Sequence, residues 1–394
     1  METSGKKYGS LFERNPVKTL LLVILVSALA LDVLAANVYT LLNGRPWALR
    51  GPREDPAERT YRVHSGLYHH DLAKNKCAGN ARWGDIVYKV CTNSLGFKDS
   101  GVRAVPLSSG RRRLLFIGDS FTEGLGVEYK DTFAGLIGAG LEKNGVEVLN
   151  AAVSGYSPVI YWKKTEYLVE RAGLKFDEAV VFLDISDIED EAVHYSLDEN
   201  GSVAAIDAGK GGAGDRRRPD FKRILEKNSI LVSELRRIAL SLLQSPFHKA
   251  HVVNSRTALW TTDKEVYAEY GETGLKKCDL YMDKLSALLR KRGIKLTLAV
   301  YPWPDQIRSG DLDSIQVSHW KQWAAGRGAE FIDYFPVFIT GKTEKEKQAV
   351  MDKYYLENDQ HWNKNGHKLV AEVFLELYRA RRGKAPAARP GPEL

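Results

Sequence analysis

The chain has 394 residues, of which 44% are hydrophobic and 27% charged, and its formal net charge is +7. Such a length holds one large domain or two small ones, and the composition is that of an ordinary globular protein. Basic residues are scattered except at Arg111-Arg112-Arg113 and Arg216-Arg217-Arg218. With no recognition motif beside them, these read as solvated turns, and no nucleic-acid partner is expected.

Residues 1–18 form a short N-terminus carrying Lys6, Lys7, Arg14 and Lys18. Residues 19–42 follow as an apolar stretch broken only by Asp32. A helix of that length spans about 36 Å, at roughly 1.5 Å per residue, enough to cross a bilayer. The preceding basic residues predict a cytoplasmic N-terminus and an extracytoplasmic body. Ala28-Leu29-Ala30 resembles a cleavage site, so a removed signal peptide is the alternative. An uncleaved anchor is favoured because the apolar stretch runs well past that site. Asp32 would cost on the order of 3 kcal/mol at the bilayer centre, which places it nearer the interface or against another helix.

Residues 43–60, rich in Pro, Arg, Gly and Glu, read as a linker. The short aromatic and β-branched runs of 61–105 complete a linker and β-rich lead-in over 43–110. Cys77 and Cys91 would form a disulfide if the body lies outside the cytoplasm. Cys278 falls at a core position of a helix pattern. The spacing of these cysteines offers no metal site, and the adjacent His69-His70 would not share a face.

From 111 to 382 strands alternate with helices. Strands are expected at 114–117, 147–150, 179–183, 294–300 and 331–332. Helices are expected at 132–143, 159–172, around Leu275–Leu289, 314–325 and 364–381. This alternation predicts an α/β fold, a parallel sheet with helices on both faces. An insertion at 188–272 interrupts it, with a Gly-rich run at 209–214 and a helix pattern near 220–244. It is placed to shape a cleft or to serve as packed decoration. Residues 383–394, rich in Pro, Ala and Gly, read as a disordered tail.

The strand Leu114-Leu115-Phe116-Ile117 runs into Gly118-Asp119-Ser120 and a turn, exposing a hydroxyl at a strand's carboxyl end. Far downstream stands Asp359-Gln360-His361-Trp362. A serine becomes a nucleophile when a base takes its proton, and a carboxylate orients that base.

Gly118-Asp119-Ser120-Phe121-Thr122-Glu123-Gly124 resembles the first block of the SGNH (GDSL-type) hydrolases. Asn150-Ala151-Ala152-Val153-Ser154-Gly155 is similar to their second block, and Asp359-Gln360-His361 to their last. The resemblance spans roughly 85–380 and implies a three-layer α/β/α fold. It also implies a Ser120–His361–Asp359 triad and an oxyanion hole built from the N–H groups of Ser120 and Gly155. The family's third block usually supplies an asparagine; here Asp184-Ile185-Ser186-Asp187 puts Ser186 in its place, as a third donor. The family's aspartate usually lies three residues before the histidine, and here it lies two before. Asp-x-His-Trp spacing is similar to that of polysaccharide O-acetylation proteins.

Trp303, at the end of strand 294–300, and Trp362 present aromatic faces that suit sugar rings; core packing is the alternative for Trp303. His367 is expected to pack or cap the last helix. No cofactor is implied. The expected activity is that of a membrane-anchored extracytoplasmic serine esterase acting on an acylated glycan or small ester, tied to cell-envelope polysaccharide machinery. The alternatives are a polysaccharide O-acyltransferase that shares the acyl-enzyme, and a non-catalytic glycan-binding or assembly protein that retains the fold. A lipid or thioester hydrolase is disfavoured because no apolar stripe lies near the motifs.

Overall fold

The computed structural model describes residues 15–43, 57–206, 229–232, 234, 235 and 256–383. The Gly-rich run at 209–214, most of the 220–244 helix pattern, most of the linker and the tail past 383 lie outside these residues. The chain divides into two units, one combining 1–54 with 212–249 and the other combining 55–211 with 250–394.

In the first unit, Pro16–Asn43 is one helix, and its Pro16–Leu42 portion is long and apolar enough to cross a membrane. Most of its leucines and valines are exposed, with Leu29 and Val33 partly buried. Asp32 has partners here. Its carboxylate accepts the Leu231 N–H at 2.9 Å and the Ser229 hydroxyl.

The second unit is built on an eight-stranded sheet. We number the strands β1 (Arg62–Ser65), β2 (His69–Leu72), β3 (Cys77–Trp83), β4 (Ile86–Thr92), β5 (Lys98–Asp99), β6 (Arg112–Ile117), β7 (Val146–Asn150), β8 (Glu178–Leu183), β9 (Tyr195–Leu197), β10 (Val203–Ala205), β11 (Lys295–Val300) and β12 (Glu330–Asp333). The sheet order is β12-β11-β8-β6-β7-β5-β4-β3. The first five strands are mutually parallel. Strands β6 and β8 read as unbroken apolar runs because both of their faces are covered; Leu114 to Ile117 and Ala179 to Leu183 are fully buried. Helices Phe133–Leu141 and Lys364–Gly383 pack together, as do Pro158–Glu166 and Glu272–Lys291, while Ile315–Arg327 lies on β11 and β12.

The expected parallel sheet is present, and it is larger than the alternation implies. Lys98 of β5 pairs antiparallel with Asn150 of β7, so β5, β4 and β3 of the lead-in extend the same sheet. Hydrophobic period reveals a strand but not which edge it joins. Cys77 and Cys91 are cross-strand neighbours joined by a disulfide, and Cys278 is a buried free thiol. The hairpins β1–β2 and β9–β10 stand outside the large sheet.

Strand order reverses around β6, since β7 lies on one side of it and β8, β11 and β12 on the other. Open α/β sheets form their clefts at such a switch point, beyond the carboxyl ends of the strands. Ser120, the 151–155 turn, the 184–187 turn and Tyr301 all follow strands at that edge.

Candidate active site

Two residues, Gly118 and Asp119, carry the chain from β6 to Ser120. A Cβ on Gly118 would stand 2.4 Å from Thr122 Oγ1 and 3.0 Å from the Phe182 carbonyl, so only glycine fits. Asp119 caps the one-turn helix Ser120–Glu123 by accepting the Phe121 N–H at 3.2 Å. Gly124 ends that turn in the left-handed region at φ 81°.

Asp359 and His361 sit between helices Glu344–Tyr354 and Lys364–Gly383. The two-residue spacing works because the carboxylate folds back over its own turn. Asn358, at φ 57°, reverses the chain. Asp359 Oδ1 then accepts both the backbone N–H of His361 at 2.7 Å and its Nδ1–H at 2.5 Å. Asx turns bond the backbone two residues on in this way. With Nδ1 protonated, Nε2 is left to accept the Ser120 hydroxyl, 2.8 Å away. The three expected residues are thus joined in one line of hydrogen bonds.

A fourth group completes the line and has no signature in the sequence. Trp83, the last residue of β3, donates its indole N–H to Asp359 Oδ2 at 2.7 Å. Its ring stands edge-on to His361, with centroids 4.9 Å apart. Burial acts to raise the Asp359 carboxyl, but the His361 side chain and N–H, with Trp83, hold it below the usual carboxylate range. Beneath His361 lies Phe121, ring to ring at 4.8 Å.

Ser120 Oγ is also 2.7 Å from Asp119 Oδ1. One hydroxyl proton cannot serve both acceptors. Burial, and then the charge of Asp184, push the Asp119 carboxyl well above its ordinary value and so favour its protonated form. Ser120 Oγ thus stands between Asp119 Oδ1 on one side and His361 Nε2 on the other.

The 151–155 turn is tied to the Ser120 turn at two points. The Asn150 side-chain amide donates to the Thr122 carbonyl at 2.7 Å, and the Ser154 N–H donates to Glu123 Oε2 at 2.7 Å. Gly155 takes φ 80°, where a side chain would be strained. Among the described residues, neither the Ser120 nor the Gly155 backbone N–H has an acceptor. Glu123 is fully buried and held by a bidentate pair with Arg62 of β1, at 3.0 and 3.1 Å. Burial would raise this carboxyl; Arg62 overrides it and keeps it below the ordinary range.

Three expected roles meet a different geometry. The hydroxyl and N–H of Ser186 both point back to Asp184 Oδ1, each at 2.8 Å, so its single hydroxyl proton is committed within its own loop. Asp184 Oδ2 takes the Tyr301 hydroxyl at 2.6 Å and the Trp303 indole N–H at 3.1 Å. Trp303 is therefore a buried support for the 184–187 turn and offers no open face to a sugar. Trp362 is fully buried too, stacked on Phe338 with centroids 5.7 Å apart and crossed by Phe121 and Tyr301. An aromatic cluster this tight takes both rings out of reach of a ligand. His367 accepts the Phe133 N–H at 3.2 Å, so it packs as expected but serves the start of helix Phe133–Leu141 rather than its own helix, and burial pushes its imidazole down to about 3. Among the described residues no cluster of His, Cys, Asp or Glu could hold a metal ion.

No protein-family profile matches the chain, and neither does any curated protein. Solved structures do align with it. A psychrotrophic esterase from Pseudoalteromonas sp. shares 11% identity over 69% of this chain and 100% of its own, with a TM-score of 0.37. An acetyl xylan esterase shares 16% over 67% of this chain and 98% of its own, with a TM-score of 0.38. A GDSL-like lipase from Bacteroides thetaiotaomicron shares 11% over 70% and 93%, with a TM-score of 0.36.

Proposed function

We propose that the protein is a serine esterase of the SGNH (GDSL) type, anchored in the inner membrane and acting outside the cytoplasm on an O-acylated carbohydrate. The observation that carries this reading is the continuous line Ser120 Oγ to His361 Nε2, and His361 Nδ1 to Asp359 Oδ1.

The chemistry follows from that line. His361 Nε2 takes the Ser120 proton as Oγ attacks the acyl carbonyl. Asp359 holds the imidazole tautomer and stabilises the imidazolium that forms. The N–H groups of Ser120 and Gly155 receive the oxyanion; one such donor is typically worth about 2.7–4 kcal/mol. His361 then protonates the leaving alkoxide. Water resolves the acyl-Ser120 in an esterase, and a sugar hydroxyl would do so in an O-acyltransferase.

The Cys77–Cys91 disulfide supports an oxidising compartment, and the apolar helix after Lys6, Lys7 and Arg14 supports an anchor. The substrate class rests on the likeness of Asp359-x-His361-Trp362 to the polysaccharide O-acetylation proteins.

The test is covalent labelling by a fluorophosphonate together with acetate release from acetylated glycan fragments. Wild type should be labelled at Ser120, and Ser120→Ala should be unlabelled, folded and inactive. A wild-type protein that resists labelling and releases no acetate is instead a binding or assembly protein on this fold. Acetate appearing on a sugar acceptor in place of free acetate identifies the transferase.

A further inference from the structure

The hairpin β1–β2 reaches the 151–155 turn through one side chain. His70 Nε2 lies 2.8 Å from the Ser154 carbonyl oxygen. A carbonyl only accepts, so Nε2 carries the proton. His70 Nδ1 is then a bare acceptor, and His69 Nδ1–H donates to it at 2.8 Å. Burial, chiefly, pushes the His70 imidazole down to about 4, in keeping with this neutral form.

Two adjacent side chains on one strand ordinarily point to opposite faces. Here the backbone bends to bring them together. The His70 N–H bonds the Tyr68 carbonyl at 2.9 Å, closing a three-residue turn around His69, whose φ is 73°. Such a γ-turn is rare and strained, and strain of this kind persists only where the surroundings impose it. The surroundings are visible. Tyr156 donates its hydroxyl to the His70 carbonyl at 2.8 Å and lies edge-on to its ring, and Tyr195 packs against His69 at 5.2 Å.

The Ser154 carbonyl shares a peptide plane with the Gly155 N–H. In a trans peptide the two point in opposite directions. Holding the carbonyl on His70 therefore fixes where the Gly155 N–H points. Glu123 holds the plane before it, through the Ser154 N–H. Gly155 itself resists nothing, because glycine allows many ψ and φ values.

We propose that His70 is a positioning residue, held by His69, that aims the Gly155 N–H at the developing oxyanion; this rests on the esterase reading above. The ring nitrogens of His70 bond the Ser154 carbonyl and His69, and neither bonds Ser120. Its effect is to pre-orient a donor that would otherwise have to be ordered during the reaction.

The test compares two amides that differ by one methylene. The Gln side-chain nitrogen reaches about where Nε2 lies, whereas that of Asn falls short. On p-nitrophenyl acetate, His70→Gln should keep kcat within about threefold, and His70→Asn should lose roughly tenfold to a hundredfold with KM unchanged. The crystal structure of His70→Asn should show the 154–155 peptide rotated. If His70→Asn does not fold, His70→Leu replaces it in both measurements. Asn and Gln variants that both match wild type, or an Asn variant whose peptide keeps its orientation, overturn the proposal. A wild type that no fluorophosphonate labels sinks the esterase reading alone; the rotated peptide would still establish the hold of His70 on Gly155.

Discussion

A carboxylate that orients a histidine must itself be fixed, and Asp359 is fixed by both of its oxygens. Oδ1 faces the imidazole and Oδ2 faces the Trp83 indole. Trp83→Phe keeps an aromatic ring beside His361 and removes only the N–H. A hydrogen bond to a charged group is worth about 1.5–3 kcal/mol, so kcat should fall on the order of tenfold or more. The same change has a signature in pH. Asp359 is depressed in the folded protein, so its contribution to stability is full above the ordinary carboxylate range and is lost as pH falls through its lowered value. Trp83→Phe brings that value nearer the ordinary one, so less stability should be lost between neutral and acid pH, and the loss should be complete at a higher pH, in melts run across that range. Identical melting profiles for the two proteins would remove Trp83 from the line. Ser186 offers a contrast at the same scale. Its hydroxyl proton goes to Asp184, so the third donor implied by the family pattern is spoken for. Nothing in a sequence says which of two nearby acceptors a hydroxyl will choose.

At the scale of elements, the two hairpin strands and β3 act as braces for the motif loops. Strand β1 sends Arg62 to Glu123, β2 sends His70 to Ser154, and β3 sends Trp83 to Asp359. Glu123→Leu leaves the Arg62 guanidinium, 22% exposed, with Glu58 alone at 3.3 Å, which costs up to about 3–5 kcal/mol, the range for breaking a buried pair. The double variant Arg62→Met with Glu123→Leu should recover most of that stability, since an apolar pair often replaces a buried ion pair at little cost. It should not recover activity, because the Ser154 N–H still lacks its acceptor. A double variant with wild-type kcat would show that the pair only stabilises the fold. The alternating strands and helices, and the residues of all three motif loops, were legible because each is a local pattern of period, turn and residue type. The braces were not. They join positions 61, 84 and 276 residues apart through one or two hydrogen bonds each, and Arg62, His70 and Trp83 sit in strands with no local mark of a partner. Whether Trp303 and Trp362 pack in a core or face a ligand is likewise not legible, since an aromatic side chain has the same letter in both places, and here both rings are buried.

At the scale of the whole molecule, the compartment decides what the site can meet. A disulfide between Cys77 and Cys91 persists where thiols are oxidised, and a cytosolic body would keep both reduced. The helix Pro16–Leu42 follows Lys6, Lys7 and Arg14, a charge bias from which an inside N-terminus is expected. Asp32 is the one feature that resists insertion, at about 3 kcal/mol near the bilayer centre. Its bonds to Ser229 and Leu231 lower that penalty, because a carboxylate in an apolar setting is tolerated once its lone pairs have donors. Both lines of reasoning give one expectation. Alkaline phosphatase fused after residue 60 should be active in whole cells, and a reporter that works only in the cytoplasm should be silent. In cells carrying the full chain, a membrane-impermeant maleimide should modify the exposed Cys77 only after a reductant is added. Active cytoplasmic fusions, or a Cys77 thiol that stays unmodified by the impermeant reagent after reduction, would place the body inside and remove any envelope glycan from its reach. Asp32→Leu separates the anchor from the fold: it should leave the fusion pattern unchanged while removing the acceptor that Ser229 and Leu231 share, so only the contact between the helix and the 229–235 segment is lost.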